Sequence, residues 1–285
     1  MAAAHYRVGS LDIAIISDGE FRLDGGAVFG LVPRVLWEPI VGPENIDDQH
    51  RVPLGLNCMV VRSGDAVLVA DTGFGQKIQG TREARGYPGD YGHLLSELAA
   101  LGIAPEDVTA VANTHLHADH CGGNTRRDGD AVVPAFPRAR YFIQSGEYED
   151  AMHPNERTRG TYFAENFEPL EASGQLDLVD GEREIIPGVT FIPTPGHTQH
   201  HASIALSSGG ETAFYTGDLV HAAVQIERPA WIPAFDVLPL VSLETKKQLA
   251  DRAVRERTLL ICGHNTFPGV GRLTERDGKR VFATE

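Results

Sequence analysis

Short β-rich apolar runs alternate with turn residues along this chain, and helical spacing enters between and after them. "LDIAIIS" and "CMVVRSGDAVLVADTG" are predicted strands, the second a hairpin turning at Ser63, Gly64 and Asp65. "YGHLLSELAALGI" places Leu94, Leu95, Leu98, Ala99 and Leu101 at helical spacing. "VTAVANT" is a strand that runs straight into "HLHADHC". "ARYFIQ" is a strand and "SGEYEDAM" a helix with Ser145 at its N-cap. "QLDLVD", "REIIPGVTFIPT", "HASIALSS" and "ETAFYTGD" follow as strands. "SLETKKQLADRAVRERT" is a helix capped by Ser242, and "LLICGH" is a buried strand. Many strands with helices between and after them predict an α+β architecture, two sheets flanked by helices in four αββα layers. No run resembles a linker, so residues 1–285 are expected to form a single domain.

Composition narrows the class. The 285 residues are 42% hydrophobic and 22% charged, as in ordinary soluble globular proteins. The formal net charge of −14 argues against nucleic acid as a partner, because phosphate binding needs clustered Lys and Arg. No stretch approaches the roughly 20 apolar residues of a membrane helix, so no membrane partner is expected. The start, "MAAAHYRVGS", shows no secretory pattern, and Cys58, Cys121 and Cys262 are odd in number and far apart. A reducing, cytoplasmic location is the expectation. Cys121 and Cys262 each lie near a histidine; they are either small buried neighbours of a site or ligands in it.

The chemistry concentrates in one place. His115, His117, Asp119 and His120 occupy six consecutive positions and include three of the chain's 12 histidines. His115 and His117, two apart, can face the same side of an extended segment. Imidazoles suit zinc and similar borderline metals, and a carboxylate adds charge. Partners lie downstream, each at the end of a predicted strand: His197 after "FIPTPG", Asp218 after "AFYTG" and His264 after "LLICG". Strand ends on one edge of a sandwich converge, and sites cluster there. Five histidines and two aspartates suffice for two metals with a position open to water. A purely structural site would be closed by four ligands. There is no G-x-S-x-G elbow and no P-loop, so a side-chain nucleophile or a phosphate cradle is not expected.

The pattern His115-x-His117-x-Asp119-His120, then His197, Asp218 and His264, resembles the signature of the metallo-β-lactamase fold superfamily. The resemblance implies His115, His117 and His197 on one metal, Asp119, His120 and His264 on the second, and Asp218 bridging both. It implies two divalent ions, zinc first, with manganese, cobalt or iron as other occupants. Two cations about 3.5–4 Å apart share a water and lower its pKa, so the implied chemistry is hydrolysis by a bridging hydroxide. Asp71 resembles the family's aspartate after the second hairpin strand, where it would orient a histidine; otherwise it is a turn residue. His201 matches the family's usual second histidine of "TPGHTPGH" and is expected to be structural. This chain reads "TPGHTQHH", departing at Gln199 and His200. Asp218 stands where some antibiotic-degrading relatives place a cysteine, and His117 stands where redox relatives carry glutamate.

Three further stretches, 24–37, 147–170 and 216–225, are similar to the branch that holds quorum-quenching lactonases and methyl-parathion-type hydrolases. The implied substrate is a small ester: an N-acyl homoserine lactone or related lactone, with an organophosphate or aryl ester as the alternative. A β-lactamase and a non-catalytic metal-binding sensor are further alternatives. Phe29, Val32 and Trp37, in an apolar loop broken by Pro33, either roof a pocket or pack in the core. Trp231 and Phe235 either form the opposite wall or pack. A mostly apolar pocket suits an acyl or aryl group. His221, three residues after Asp218, either protonates a departing alkoxide or only hydrogen-bonds; Asp119 is another proton source. The branch makes a homodimer an expectation.

Overall fold

The computed structural model describes residues 2–285. One sheet is built from β1 (Ala4–Val8), β2 (Leu11–Asp24), β3 (Arg51–Ser63), β4 (Ala66–Ala70), β5 (Gly89–Tyr91) and β6 (Ala110–Ala112). A two-stranded flap follows, β7 (Thr125–Asp128) with β8 (Ala131–Pro134), and β9 (Arg140–Gln144) and β10 (Leu176–Val179) complete the sheet. Its order is β1-β2-β3-β4-β6-β9-β10, with β5 paired to β2. The second sheet runs in chain order through β11 (Arg183–Ile186), β12 (Val189–Pro193), β13 (Ala202–Ser208), β14 (Glu211–Tyr215), β15 (Leu259–Ile261), β16 (Val270–Arg276) and β17 (Lys279–Thr284). Helices are α1 (Gly25–Phe29), α2 (Arg34–Val41), α3 (Leu94–Ala100), α4 (Ala118–Cys121), α5 (Ser145–Met152), α6 (Glu168–Ala172), α7 (Val224–Glu227) and α8 (Pro239–Glu256).

Side chains alternate across each strand, and here both faces are covered. On β2, Ile13 and Ile15 point into the gap between the sheets, and Ala14 and Ile16 point towards the helices. Met59 and Val61, then Leu68 and Ala70, repeat the inward choice on β3 and β4, against Phe191, Ile204, Leu206 and Ile261 of the second sheet. On the far side, Val60, Val69 and Val111 pack on Leu94 and Leu98 of α3 and on Tyr148 of α5. The outer face of the second sheet, with Phe214, Leu260 and Leu273, packs on Leu249, Ala250 and Ala253 of α8. The result is the four-layer αββα sandwich. Two-sided burial explains why the central strands read as continuous apolar runs. Each fully buried large aliphatic contributes about 1.5–3 kcal/mol. Among the described residues, no helix is long and apolar enough to cross a membrane.

Some local expectations change. The stretch after Asp24 is helical, not a loop. The Asp24 carboxylate accepts the Ala27 N–H at 2.9 Å and starts α1, and Pro33 precedes α2. Ser145 caps nothing: Gln144 occupies the N-cap of α5, and the Ser145 hydroxyl donates to Asp180 instead. Ser242 lies inside α8, which starts at Pro239, because a proline fits the first turn where no N–H is needed.

Candidate metal centre

The parallel pairings set the geometry. β4, β6 and β9 run parallel, as do β14 and β15, so their carboxyl ends open on one edge. Asp71 follows β4, His115 to His120 follow β6, His197 follows β12, Asp218 follows β14 and His264 follows β15. Two backbone positions make the convergence possible. Gly217 has φ +51°, and a Cβ there would meet Thr114 and His201 at under 3 Å. Asp71 itself sits at φ +51°, a conformation rare for a non-glycine and costing about 1–3 kcal/mol. Its carboxylate is held there by the Thr114 N–H at 2.8 Å, the Thr114 hydroxyl at 2.9 Å and the Tyr215 hydroxyl at 3.2 Å.

All seven residues of the expected ligand set meet at this edge. His115, His117, His197 and Asp218 form one group of donor atoms lying within 4.8 Å of one another, and Asp119, His120 and His264 form a second. Asp218 faces both. Its Oδ2 lies 3.2 Å from His197 Nε2 and 3.8 Å from His115 Nε2. Its Oδ1 lies 3.0 Å from both His120 Nε2 and His264 Nε2. Asp119 Oδ2 approaches the same two nitrogens at 3.6 and 3.5 Å. His221 joins a third group with Asp218 and His264, its Nε2 2.8 Å from Asp218 Oδ2. The thiols of Cys121 and Cys262 are buried and enter none of these groups; Cys121 Sγ points to the Leu116 carbonyl oxygen at 3.2 Å.

The donor set fits cations, and the hydrogen bonds say why. His120 Nδ1 faces Asp71 at 2.8 Å, His264 Nδ1 faces the Gly55 carbonyl oxygen at 2.7 Å, and His197 Nδ1 faces Asp236 at 3.1 Å. Each acceptor holds a proton on Nδ1, so Nε2 is the ring atom turned towards the other donor groups. Yet His120 Nε2 lies 3.1 Å from His264 Nε2, and His197 Nε2 lies 3.0 Å from His117 Nδ1. His115 Nε2 and His221 Nδ1 are buried with no hydrogen-bond partner. Converging lone pairs without donors are costly unless an electrophile sits between them.

Electrostatics divide the imidazoles into two groups. Burial, then neighbouring imidazoles, hold His115 and His117 well below the usual histidine range. At His120, His197 and His264 burial opposes protonation, but Asp218 and the other carboxylates beside each ring together outweigh it and raise the pKa. Burial also opposes charge on Asp218, and the surrounding imidazoles overcome it, holding the carboxyl well below its ordinary value. His201 is different: its Nε2 accepts the Asp218 N–H at 3.1 Å and its Nδ1 bonds Thr194, so it fixes backbone.

A cleft of roughly 450 Å³ opens over these groups, walled by Phe21, Leu23, Leu54, Tyr87 and Phe235. His221 lies against Phe235, ring centroids 4.9 Å apart. Of the expected pocket residues, Phe235 alone lines this cleft. Phe29 and Trp37 stack at 5.0 Å and are buried behind the wall, with Val32 and Trp231 partly buried against them. A second cavity of about 470 Å³, beside Lys77 and Arg126, contains none of the histidines. Asp236, Phe21, Leu54 and Tyr87 were not singled out from sequence. Asp236 sits in a proline-rich loop with no motif around it. Phe21 lies at the far end of a strand whose centre is ordinary core.

A family profile described as the metallo-beta-lactamase superfamily matches residues 51–264, most of the chain and all seven convergent residues. The chain belongs to this superfamily. It is 28% identical over 173 residues to an N-acyl homoserine lactonase of Bacillus sp., and 27% identical to that of Bacillus thuringiensis. Those alignments cover 60% of this chain and 62% of the relatives' length, less than two thirds. Among solved structures, a probable metal-dependent hydrolase from Staphylococcus aureus superposes with TM-score 0.89 at 25% identity, covering 98% of this chain and 99% of that one. The hydrolase AbOPH of the beta lactamase superfamily gives TM-score 0.83 at 26% identity over 100% of this chain and 97% of that one. AidC, a dizinc quorum-quenching lactonase, shares the fold at TM-score 0.83 and 22% identity, over 100% and 97% of the two chains.

Proposed function

We propose that the chain is a dinuclear metal-dependent hydrolase that opens lactones, N-acyl homoserine lactones or close relatives. The observation that carries this is Asp218, whose two oxygens face two separate imidazole groups on the floor of an apolar cleft. His115, His117 and His197 would hold one cation, and Asp119, His120 and His264 the other, with Asp218 shared. A nitrogen-and-oxygen donor set of this kind suits zinc. Two bound divalent cations supply hydroxide near neutral pH and polarise an ester carbonyl.

The chain's own residues do the rest. Asp71, Asp236 and the Gly55 carbonyl fix the tautomers of His120, His197 and His264. Phe21, Leu23, Leu54 and Phe235 exclude water and accept the acyl chain. His221, which burial keeps neutral beside Asp218 at the cleft, would take the proton released by the attacking water and pass it to the ring oxygen as the alkoxide leaves. Asp119, part exposed at the cleft, is the alternative proton source for the leaving oxygen. Similarity to named lactonases supports the substrate class. The core shared by both sheets supports one domain over 1–285.

One observation favours a second reading. Phe21, Tyr87 and Phe235 make the wall aromatic, which suits an aryl ester or aryl phosphotriester. Zinc-loaded protein mixed with N-hexanoyl homoserine lactone in a weakly buffered indicator should acidify the solution as the ring opens. If lactones are spared while an aryl phosphotriester is cleaved, the second reading takes its place. Rapid hydrolysis of a chromogenic cephalosporin, or inertness with one tightly held metal, would remove both.

A further inference from the structure

Glu147 is the most unusual buried group outside the donor set. It lies on α5 and is 0% exposed. Its Oε1 accepts the Leu116 N–H at 3.1 Å and the Tyr162 hydroxyl at 3.0 Å. Its Oε2 accepts the Thr198 hydroxyl at 2.6 Å. Leu116 sits between His115 and His117, and Thr198 follows His197. One carboxylate therefore ties together the two turns that carry all three imidazoles of the first donor group. Tyr162 adds a third tie, its ring 5.1 Å from that of His117.

The charge is the puzzle. Among the described residues, Glu147 has no salt bridge to a lysine, arginine or histidine. Burial pushes its carboxyl pKa up, and the three donors, with the nearby His197 imidazole, only partly oppose that. A buried carboxylate without a counter-charge costs several kcal/mol even after relaxation. A neutral amide could keep both bonds to Oε1 and reverse the third, its N–H donating to the Thr198 hydroxyl, at less cost, if bracing were all that was needed.

We propose that Glu147 is a positioning residue that braces the His115–His117 and His197 turns and supplies the buried counter-charge for the cation held by those three imidazoles. The proposal rests on the dinuclear reading above. Three neutral imidazoles bring no charge to a divalent ion, and Asp218 is shared with the other site. An anion fixed immediately behind the imidazole ring backbone offsets that deficit without occupying a ligand position.

The test compares Glu147→Gln with wild type in metal-free and zinc-loaded form. Zinc(II) alone is the probe, with thermal unfolding and stepwise chelator competition as readouts. The metal-free variant should unfold at the same temperature as metal-free wild type, or higher, since a neutral amide is cheaper to bury. Its zinc-induced rise should be smaller. One of its two zinc ions should be released at about tenfold or more lower chelator concentration, the other unchanged. Tyr162→Phe removes one donor but keeps the charge, so its zinc-induced rise should be unchanged or larger. A metal-free Glu147→Gln that fails to fold or melts well below wild type shows a packing role and overturns the proposal. So does a Tyr162→Phe loss of zinc stabilisation as large as that of Glu147→Gln. Wild type with two zinc ions and an unaltered Glu147→Gln overturns this proposal alone. Wild type that takes up fewer than two overturns the dinuclear reading and this proposal with it.

Discussion

The space between the two sheets and the edge where their strands end are equally buried and chemically opposite. Between the sheets, Ile15, Met59, Phe191 and Ile204 are at 0% exposure and meet only other apolar groups. At the edge, His115, His120, His197 and Asp218 are at 0–4% exposure and present lone pairs to one another. The first region stabilises the chain by removing hydrocarbon from water. The second desolvates polar groups, a cost that the pairing of Asp218 with the imidazoles offsets in part in the metal-free chain. Burial alone therefore does not mark a core; unmatched hydrogen-bonding capacity separates the two.

Substitutions should split along that line. Asp218→Ala should reduce lactone kcat/KM by about 1000-fold or more, several kcal/mol of transition-state stabilisation, while leaving metal-free unfolding in urea little changed. A large loss of metal-free stability would place Asp218 with the core instead. Phe191→Ala should do the converse, costing about 3–5 kcal/mol in urea titrations with zinc-loaded activity per folded molecule retained. Asp236→Ala should weaken zinc binding by about 10–100-fold, read by chelator competition, because His197 loses the acceptor that fixes its tautomer. Unchanged affinity would reduce Asp236 to a loop contact. Phe235→Leu should have the smallest effect, roughly 3–10-fold in kcat/KM, greater for long acyl chains than for short ones. An equal effect on all chain lengths would move Phe235 out of the acyl subsite.

The two regions were also unequally legible in the sequence. The strands were visible because two-sided burial writes apolar runs such as "LDIAIIS" directly into the chain. The donor residues were visible because His115 to His120 are adjacent, and because His197, Asp218 and His264 each close an apolar run. Residues acting from elsewhere were not. Asp236 reaches His197 from a loop 39 positions away, and only the fold brings them together. Glu147 left a faint trace, an acid on the same helix face as buried Ala151. The wall of the cleft was misplaced because Phe29 and Trp37 are as apolar as Phe21 and Leu54; side-chain type does not say which way α1 and α2 turn. The serine caps at 145 and 242 failed because a neighbouring carboxylate and a proline start offered competing solutions.

The sharpest test is anomalous diffraction at the zinc edge from a crystal grown with zinc. Two peaks should appear, about 3.5–4 Å apart, with Asp218 oxygens at roughly 2.0–2.2 Å from each. One should lie among His115, His117 and His197, the other among Asp119, His120 and His264. A single peak, or two peaks of which Asp218 touches only one, would contradict a shared two-cation centre.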